Sequence, residues 1–350
     1  MTKISTLGEF GLIRHLTEKL PLRNASSLKG VGDDAAVIAY GPESTTLVTT
    51  DLLLEGIHFD LTYVPLKHLG YKSAVVNFSD IYAMNGQPRQ ITVALGLSTR
   101  FSVEDMEQLY EGIALACEVY GVDLVGGDTS ASMTGLTISI TCIGEAEREK
   151  IVYRSGAKPT DIVCVSGDLG AAYMGLQLLE REKVAWGGSV SKEQEGDPTN
   201  SFTPDFGGRE YLLERQLKPE ARKDIIQMLA ERGVVPTAMM DVSDGLSSEL
   251  LHIARESNVG CQIYEERIPI DYQTAAMSEQ LNMNLVTAAM NGGEDYELVF
   301  TVPLTDYDKV KEMTGVHVIG HISTPEQGCM LVGRDGGEVA IQAQGWVHEL

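Results

Sequence analysis

Aspartates stand beside glycine, serine and threonine at points spread along nearly the whole 350-residue chain. The groups are Gly32-Asp33-Asp34, Thr49-Thr50-Asp51, Asn77-Phe78-Ser79-Asp80, Gly126-Gly127-Asp128-Thr129, Asp241-Val242-Ser243-Asp244-Gly245 and Gly292-Gly293-Glu294-Asp295. Several follow short apolar runs such as Thr46-Leu47-Val48-Thr49, Val122-Asp123-Leu124-Val125 and Ala238-Met239-Met240. Carboxylates at the ends of buried strands, next to small hydroxyl residues, are the donors that hard cations such as Mg²⁺ require. Mg²⁺ held by one or two carboxylates per ion usually accompanies a polyphosphate. The chain has no Gly-x-x-x-x-Gly-Lys-[Ser/Thr] phosphate loop, no His-Arg-Asp catalytic loop and no Gly-x-Ser-x-Gly elbow. Nucleotide chemistry here therefore rests on carboxylate-bound metal.

These groups need elements to hold them. Phe10, Ile13, Leu16 and Leu20 share one face of a predicted helix from Gly8 to Leu20. Strands are expected at Ala35–Ala39, Thr46–Thr50, Ile91–Leu97 and Leu136–Ile143. Pro65 opens a long helical stretch stopped by Gly86 and Pro88, and Ser102 with Asp105 caps a helix Val103–Tyr120. The charge run Glu145–Lys150 and the turn Arg154–Pro159 mark a boundary between a domain at 1–150 and a domain at 151–350. In the second part, strand Ile162–Val165 leads through Ser166–Gly170 into a helix. Strand Ala238–Met240 leads through Asp241–Gly245 into helix Leu246–Glu256. Further strands fall near Gln262–Tyr264, Tyr296–Thr301, Val316–Ile319 and Met330–Val332. The stretch Trp186–Gly208 has no periodicity and reads as a long loop or insertion, either a surface excursion or a lid. Mixed strands and helices in both parts give an α/β or α+β class.

Bulk composition narrows the partners. With 43% apolar and 22% charged residues the chain is an ordinary globular protein, and its length favours two domains. The net charge of −23 opposes nucleic acid and anionic membranes, and it obliges any nucleotide to arrive with metal. The five cysteines are scattered in sequence and match no zinc spacing, so free thiols in a reducing, cytoplasmic setting are expected. No signal-peptide core or membrane-length apolar run is present in the sequence.

The ordered motifs resemble the thiamine-monophosphate kinase family. They are Gly-Asp-Asp-Ala-Ala from Gly32, Thr-Thr-Asp-x-x-x-Glu-Gly-x-His-Phe from Thr49 and Lys-Ser-Ala-x-x-Asn-x-Ser-Asp-x-x-Ala-Met-Asn-Gly from Lys72. Gly-Gly-Asp-Thr, Arg-Ser-Gly-Ala-Lys-Pro, Asp-Val-Ser-Asp-Gly-Leu and Gly-Gly-Glu-Asp-Tyr-Glu-Leu follow. The resemblance covers almost the whole chain and extends to a superfamily with aminoimidazole ribonucleotide synthetase and selenophosphate synthetase. It implies a two-domain fold whose N-terminal domains pair into a dimeric β-barrel, with the active-site cleft beside a C-terminal α/β domain. It also implies Mg-assisted, in-line transfer of phosphoryl from ATP to thiamine monophosphate by a homodimer, the last step of thiamine diphosphate synthesis.

Carried over by the resemblance, Asp34, Thr49, Thr50, Asp51, Asp80, Asp128, Asp241 and Asp244 would ligate several Mg²⁺ ions, Asp80 bridging more than one. Tyr110, Gly127, Arg154 and Ser243 would contact ATP, while His58, Glu294 and Trp346 would meet thiamine monophosphate. No residue is assigned as general base. Each position also has a plainer reading. Asp at a strand end can cap a turn, Asp33 suits a turn or supporting role, and Ser243 and Asp244 can cap the following helix. Arg154 can pair with a neighbouring Glu, His58 can sit in the core, and Trp346 can pack a tail. Selenophosphate synthetase is disfavoured because no Cys precedes Cys117, and aminoimidazole ribonucleotide synthetase because it lacks Gly-Gly-Glu-Asp-Tyr-Glu-Leu. A non-catalytic nucleotide sensor would have eroded carboxylates, and none of the expected ones is missing.

Overall fold

A computed structural model describes residues 27–29, 33–39, 44–193 and 206–344. The expected helix Gly8–Leu20 lies outside them. The first part contains β1 (Ser27–Lys29), β2 (Ala36–Ile38), β3 (Ser44–Leu54), α1 (Leu66–Ala83), β4 (Gln87–Leu97), α2 (Val103–Tyr120), β5 (Asp123–Ala131) and β6 (Thr137–Glu147). Its strands form one sheet in the order β1-β2-β3-β6-β4-β5, antiparallel except for the β4–β5 pair. Alternation fixes which side chains face inward. Leu47, Thr49 and Leu53 of β3 are buried, as are Ile138, Ile140 and Cys142 of β6.

Helix α1 is the hub. Pro65 sets its start in an extended conformation, and most of its length is buried. It packs on β3, β4 and β6 of the first sheet and on β8 (Ala238–Asp241) of the second. Its other neighbour is α2, which starts at the Ser102–Asp105 capping box and ends at Gly121. The two helices touch through reciprocal glycines. A Cβ on Gly70 would lie 1.9 Å from the Leu109 carbonyl oxygen, and one on Gly112 would lie 1.9 Å from that of Lys67. Backbone therefore packs directly on backbone.

The second part adds β7 (Ile162–Ser166), α3 (Ala171–Glu193), α4 (Glu210–Leu217), α5 (Lys223–Glu231), β8, α6 (Leu246–Ser257) and β9 (Gly260–Tyr264). Then come α7 (Tyr272–Gln280), α8 (Leu285–Asn291), β10 (Leu298–Val302), α9 (Tyr307–Val310), β11 (Val316–Ser323), β12 (Cys329–Val332) and β13 (Glu338–Ala340). The sheet order is β13-β12-β9-β11-β7-β10-β8. One apolar core runs from the first sheet through Phe78 of α1 and Ile225 of α5 to Phe300 of β10. A second, with Val165, Leu250, Ile263 and Val299, fills the C-terminal part. The class is mixed α/β.

The elements differ from expectation in ways that have causes. Trp186–Glu193 is not loop but the continuation of α3, since extending a formed helix is far easier than starting one. Residues 194–205 lie outside the described set. Gly126-Gly127-Asp128-Thr129 does not end a strand but lies within β5. A Cβ on Gly127 would fall 2.0 Å from the Val93 carbonyl oxygen, so only glycine lets β5 lie this close to β4. β6 extends into the charge run, where Glu145 pairs with Arg89. β10 begins at Leu298 rather than Tyr296, because Glu294 and Tyr296 take positive φ values of 58° and 51°. Cys329 and Cys261, distant in sequence, face each other across the parallel β12–β9 pair as free thiols. No helix among the described residues is long and apolar enough to cross a membrane.

Gly112→Ala should push α2 off α1 and cost about 1–3 kcal/mol through overpacking. Differential scanning calorimetry should show the melting temperature lowered by several degrees. An unchanged transition would mean that the glycine contact does not set the position of α1.

Candidate functional site

Four separate segments bring carboxylates to one point. Asp34 precedes β2, Asp51 lies on β3, Asp80 on α1, and Asp241 ends β8. Oxygens of Asp34, Asp80 and Asp241 lie within 4.8 Å of one another. Each is held by a short hydrogen bond. Thr49 Oγ1 donates to Asp80 Oδ2 at 2.6 Å, and Ser79 Oγ donates to Asp241 Oδ2 at 2.6 Å. Arg154 grips Asp34 at two points, with Nε at 3.0 Å and the other nitrogen at 2.7 Å, rather than a neighbouring Glu. Asp33 supports this arrangement by accepting the Arg154 backbone N–H at 3.1 Å, in keeping with a supporting role.

So many acids together resist ionisation. Burial, then Asp244, pushes Asp51 up to about 6 from its ordinary 3.8. Burial, then Asp34, pushes Asp241 up to about 7. Asp80 is raised well above the carboxylate range by burial and then by Asp51, Asp241 and Asp34. Beneath them Glu249 is 1% exposed and also raised, by burial and then by Asp244, while its Oε1 accepts the Asp244 N–H at 3.0 Å. Arg154 offsets one of these charges. The donors are all oxygen, which suits a hard cation and not a thiolate-seeking one.

A second group lies where β3, α1 and α4 meet. His58 Nδ1 accepts the Leu54 backbone N–H at 2.9 Å, which leaves its proton on Nε2. Lys72, almost wholly buried, lies 3.0 Å from Glu294 Oε1 and donates to the Gln216 carbonyl at 3.0 Å. Gln216 Nε2 donates to Glu294 Oε2 at 2.8 Å. His58, Lys72 and Gln216 line one small cavity together with Leu53, Phe59 and Tyr63. The positive φ at Glu294 is a strained conformation for a non-glycine residue, held here by the Glu294 N–H bonded to Ser243 O at 2.7 Å. Two expected substrate residues, His58 and Glu294, thus border one site. Trp346 lies outside the described residues.

Other expected residues are not among the three whose oxygens lie within 4.8 Å of one another. Thr50 is on the opposite face of β3 from Thr49, and its hydroxyl bonds to Ile140 O at 3.1 Å, because neighbours on a strand point to opposite sides. Asp128 lies on the exposed β5 with Gly127, and its Oδ1 accepts the Thr129 N–H at 2.9 Å. Tyr110 is 38% exposed on α2. Asp244 is drawn in, since it is the neighbouring charge that acts on Asp51. Neither Ser243 nor Asp244 caps α6. The cap position is Gly245 and has no side-chain bond, so the N-terminal N–H groups of α6 are not met by a side-chain cap.

Residues 32–146 match the family model described as AIR synthase related protein, N-terminal domain. The chain is 32% identical over 347 residues to the thiamine-monophosphate kinase of Bacillus subtilis (strain 168), covering 98% of this chain and 99% of that one. It is 34% identical over 346 residues to the thiamine-monophosphate kinase of Aquifex aeolicus (strain VF5), covering 99% of each. The chain belongs to the thiamine-monophosphate kinase family. The solved structure "AaThiL complexed with AMPPCP and TMP" matches with a TM-score of 0.82 at 33% identity, covering 99% of both chains.

Sequence reasoning gave Glu249, Lys72 and Gln216 no role in this family site. Lys72 and Ser79 are named letters of a quoted motif, but no role was attached to them. Glu249 is one more helical acid, and Gln216 belongs to no motif. Asp295 and Glu297 also emerge as supports. Asp295 Oδ2 accepts the Gly170 N–H at 2.8 Å just before α3, and Arg215 lies 3.0 Å from Glu297.

The raised acids fix the sign of a pH effect. Folded Asp51 and Asp241 keep protons that the unfolded chain releases near 3.8. Their contribution to stability is therefore fully present below that pH and is lost as pH rises through about 6 and about 7. In chelator, the melting temperature should fall by several degrees between pH 5 and pH 8. Millimolar Mg²⁺ should restore it at pH 8 and change little at pH 5. A chelated melting temperature independent of pH in this window would contradict the carboxylate crowding.

Proposed function

We infer that the protein transfers the terminal phosphoryl group of ATP to thiamine monophosphate, giving ADP and thiamine diphosphate. The observation that carries this reading is the largely buried, all-oxygen cluster of Asp34, Asp80 and Asp241 in a chain of this family. A relative of known structure holds AMPPCP and TMP.

The acceptor is a phosphate monoester, already anionic at neutral pH, so no general base is needed to create a nucleophile. The difficulty is repulsion between anions. Two unit charges about 4 Å apart repel by roughly 4 kcal/mol at an effective dielectric near 20. Asp34, Asp80, Asp241, Thr49 and Asp51, with Asp244 and Asp128 completing the set, would hold several Mg²⁺ ions. Bound there, Mg²⁺ supplies the positive charge that offsets this repulsion and aligns the phosphates for in-line transfer. Thr49 and Ser79 fix the carboxylates of Asp80 and Asp241 in place. Arg154 keeps Asp34 oriented and offers a guanidinium to a phosphate oxygen. The N-terminal end of α6, with Ser243, favours negative charge. His58 and Glu294 orient the thiamine half, Glu294 on the side of the aminopyrimidine and Trp346 on that of the cationic thiazolium. Trp346, Tyr110 and Gly127 complete the assignment, and Thr50 is kept as a main-chain contributor.

We place the division between domains at 1–150 and 151–350, with the cleft lined by α1 and β8. We also place the protein in the cytoplasm as a homodimer whose first sheets join into a barrel, a pairing supported by β5. Its nine residues form an open, exposed edge carrying Leu124 and Val125, beside exposed Leu115 and Val119 of α2. A bare edge of that length is usually paired or protected.

Purified protein given Mg-ATP and thiamine monophosphate should produce thiamine diphosphate by chromatography, and EDTA should abolish the reaction. Free thiamine should be a poor acceptor, because its hydroxyl needs a base. Asp80→Asn should lower kcat by about a hundredfold, on the order of 3 kcal/mol, without unfolding the chain. Preferred turnover of thiamine, or near-normal turnover by Asp80→Asn, would contradict the reading.

A further inference from the structure

Gln216 is 6% exposed, yet its side-chain oxygen has no hydrogen-bond partner among the described residues. Which end of the amide is oxygen is not arbitrary here. One end faces Glu294 Oε2 at 2.8 Å, and ionised Glu294, paired with Lys72, can only accept. That end must be the NH₂ group, so the other end is an acceptor. Burying an acceptor without a donor forfeits its hydration with nothing in return, and native structures rarely leave one so.

The surroundings of Gln216 narrow the missing donor. The residue lines the cavity shared with His58 and Lys72. This cavity measures about 20 Å³, room for one water or one amino group but not for a ring. Lys72 Nζ is committed to Glu294 and to the Gln216 backbone carbonyl, and Tyr63 donates its hydroxyl to Glu180. No donor among the described residues, the His58 Nε2–H included, bonds the Gln216 oxygen, so a bound water or ligand has to supply one. The acceptor substrate of the proposed reaction carries one candidate, the exocyclic amine of its aminopyrimidine.

We propose that Gln216 reads the exocyclic amine of thiamine monophosphate, its side-chain oxygen accepting an N–H while its NH₂ group stays tied to Glu294. The role is one of specificity and rests on the reading of this site as the thiamine monophosphate site. α4 thus contributes a substrate contact through its last turn. An analogue with a carbonyl in place of the amine presents an oxygen to the Gln216 oxygen, and two acceptors repel. Rejection of that analogue is then built into the wall of the cavity rather than into the metal cluster.

The test compares kcat/KM for thiamine monophosphate and for its 4-oxo analogue, at saturating Mg-ATP, in the full-length protein. Wild type should prefer the amine by about a hundredfold, as expected where a buried polar group is left unpaired. Gln216→Leu should bring the two values within roughly threefold of each other while the KM for ATP stays unchanged. Gln216→Glu retains an acceptor and should keep the preference, although its overall rate falls beside Glu294. Should Gln216→Leu fail to fold, Gln216→Met serves in its place. Loss of turnover common to both acceptors, with the preference intact in the Leu or Met variant, would assign Gln216 a structural role or a bound water and overturn the proposal. Absence of thiamine monophosphate turnover in wild type would instead overturn the underlying function.

Discussion

Carboxylate repulsion is the constraint on which the rest of the structure depends. Asp34, Asp80 and Asp241 come from three distant segments, and nothing about their mutual attraction could assemble them, since there is none. Their proximity is imposed by packing. α1 is buried between two sheets, locked to α2 by the Gly70 and Gly112 contacts, and tied to β8 by the Ser79–Asp241 hydrogen bond. The hydrophobic core that runs from the first sheet to β10 supplies the free energy that holds like charges together.

The site has two ends with opposite electrostatic character. At the acid end one guanidinium, Arg154, faces several carboxylates, so the cluster is short of positive charge. At the other end Lys72 and Glu294 balance each other, with Gln216 closing the arrangement. The same helix, α1, serves both ends, with Lys72 two turns before Asp80. A rigid helix would thereby fix the distance between the proposed cation and acceptor sites, as in-line transfer requires. The strained backbone at Glu294 and Tyr296 belongs to this connection, because their N–H groups bond to Ser243 and Val242 on the segment that follows Asp241.

Much of this was legible in the sequence. Asp beside Gly, Ser or Thr marked Asp34, Asp51, Asp80, Asp128 and Asp241, with short apolar runs ahead of Asp51, Asp128 and Asp241, and the capping signals placed α1 and α2 within a residue or two. The rest depended on tertiary contacts. Ser79 and Asp241 meet at a sequence separation of 162 residues, which no local pattern encodes. Gln216 looked like an ordinary helical residue, because its unpaired oxygen and its bond to Glu294 exist only once α4 docks against α1. Glu249 carried no signal because a buried helical acid and a solvated one have the same letter. The continuation of β5 through Gly127 was hidden because a glycine needed for close packing and a glycine that ends a strand are indistinguishable in one dimension.

The most direct measurement of cation binding at the carboxylate cluster is isothermal titration of the metal-free protein with Mg²⁺ at pH 6.5, repeated in buffers of different ionisation enthalpy. If crowded carboxylates hold protons until a cation displaces them, binding should release protons, and the apparent heat should change with the buffer. Asp80→Asn should bind Mg²⁺ more weakly and release fewer protons. Heats that do not depend on the buffer, or Mg²⁺ binding undiminished in Asp80→Asn, would contradict the assignment of this cluster as the cation site.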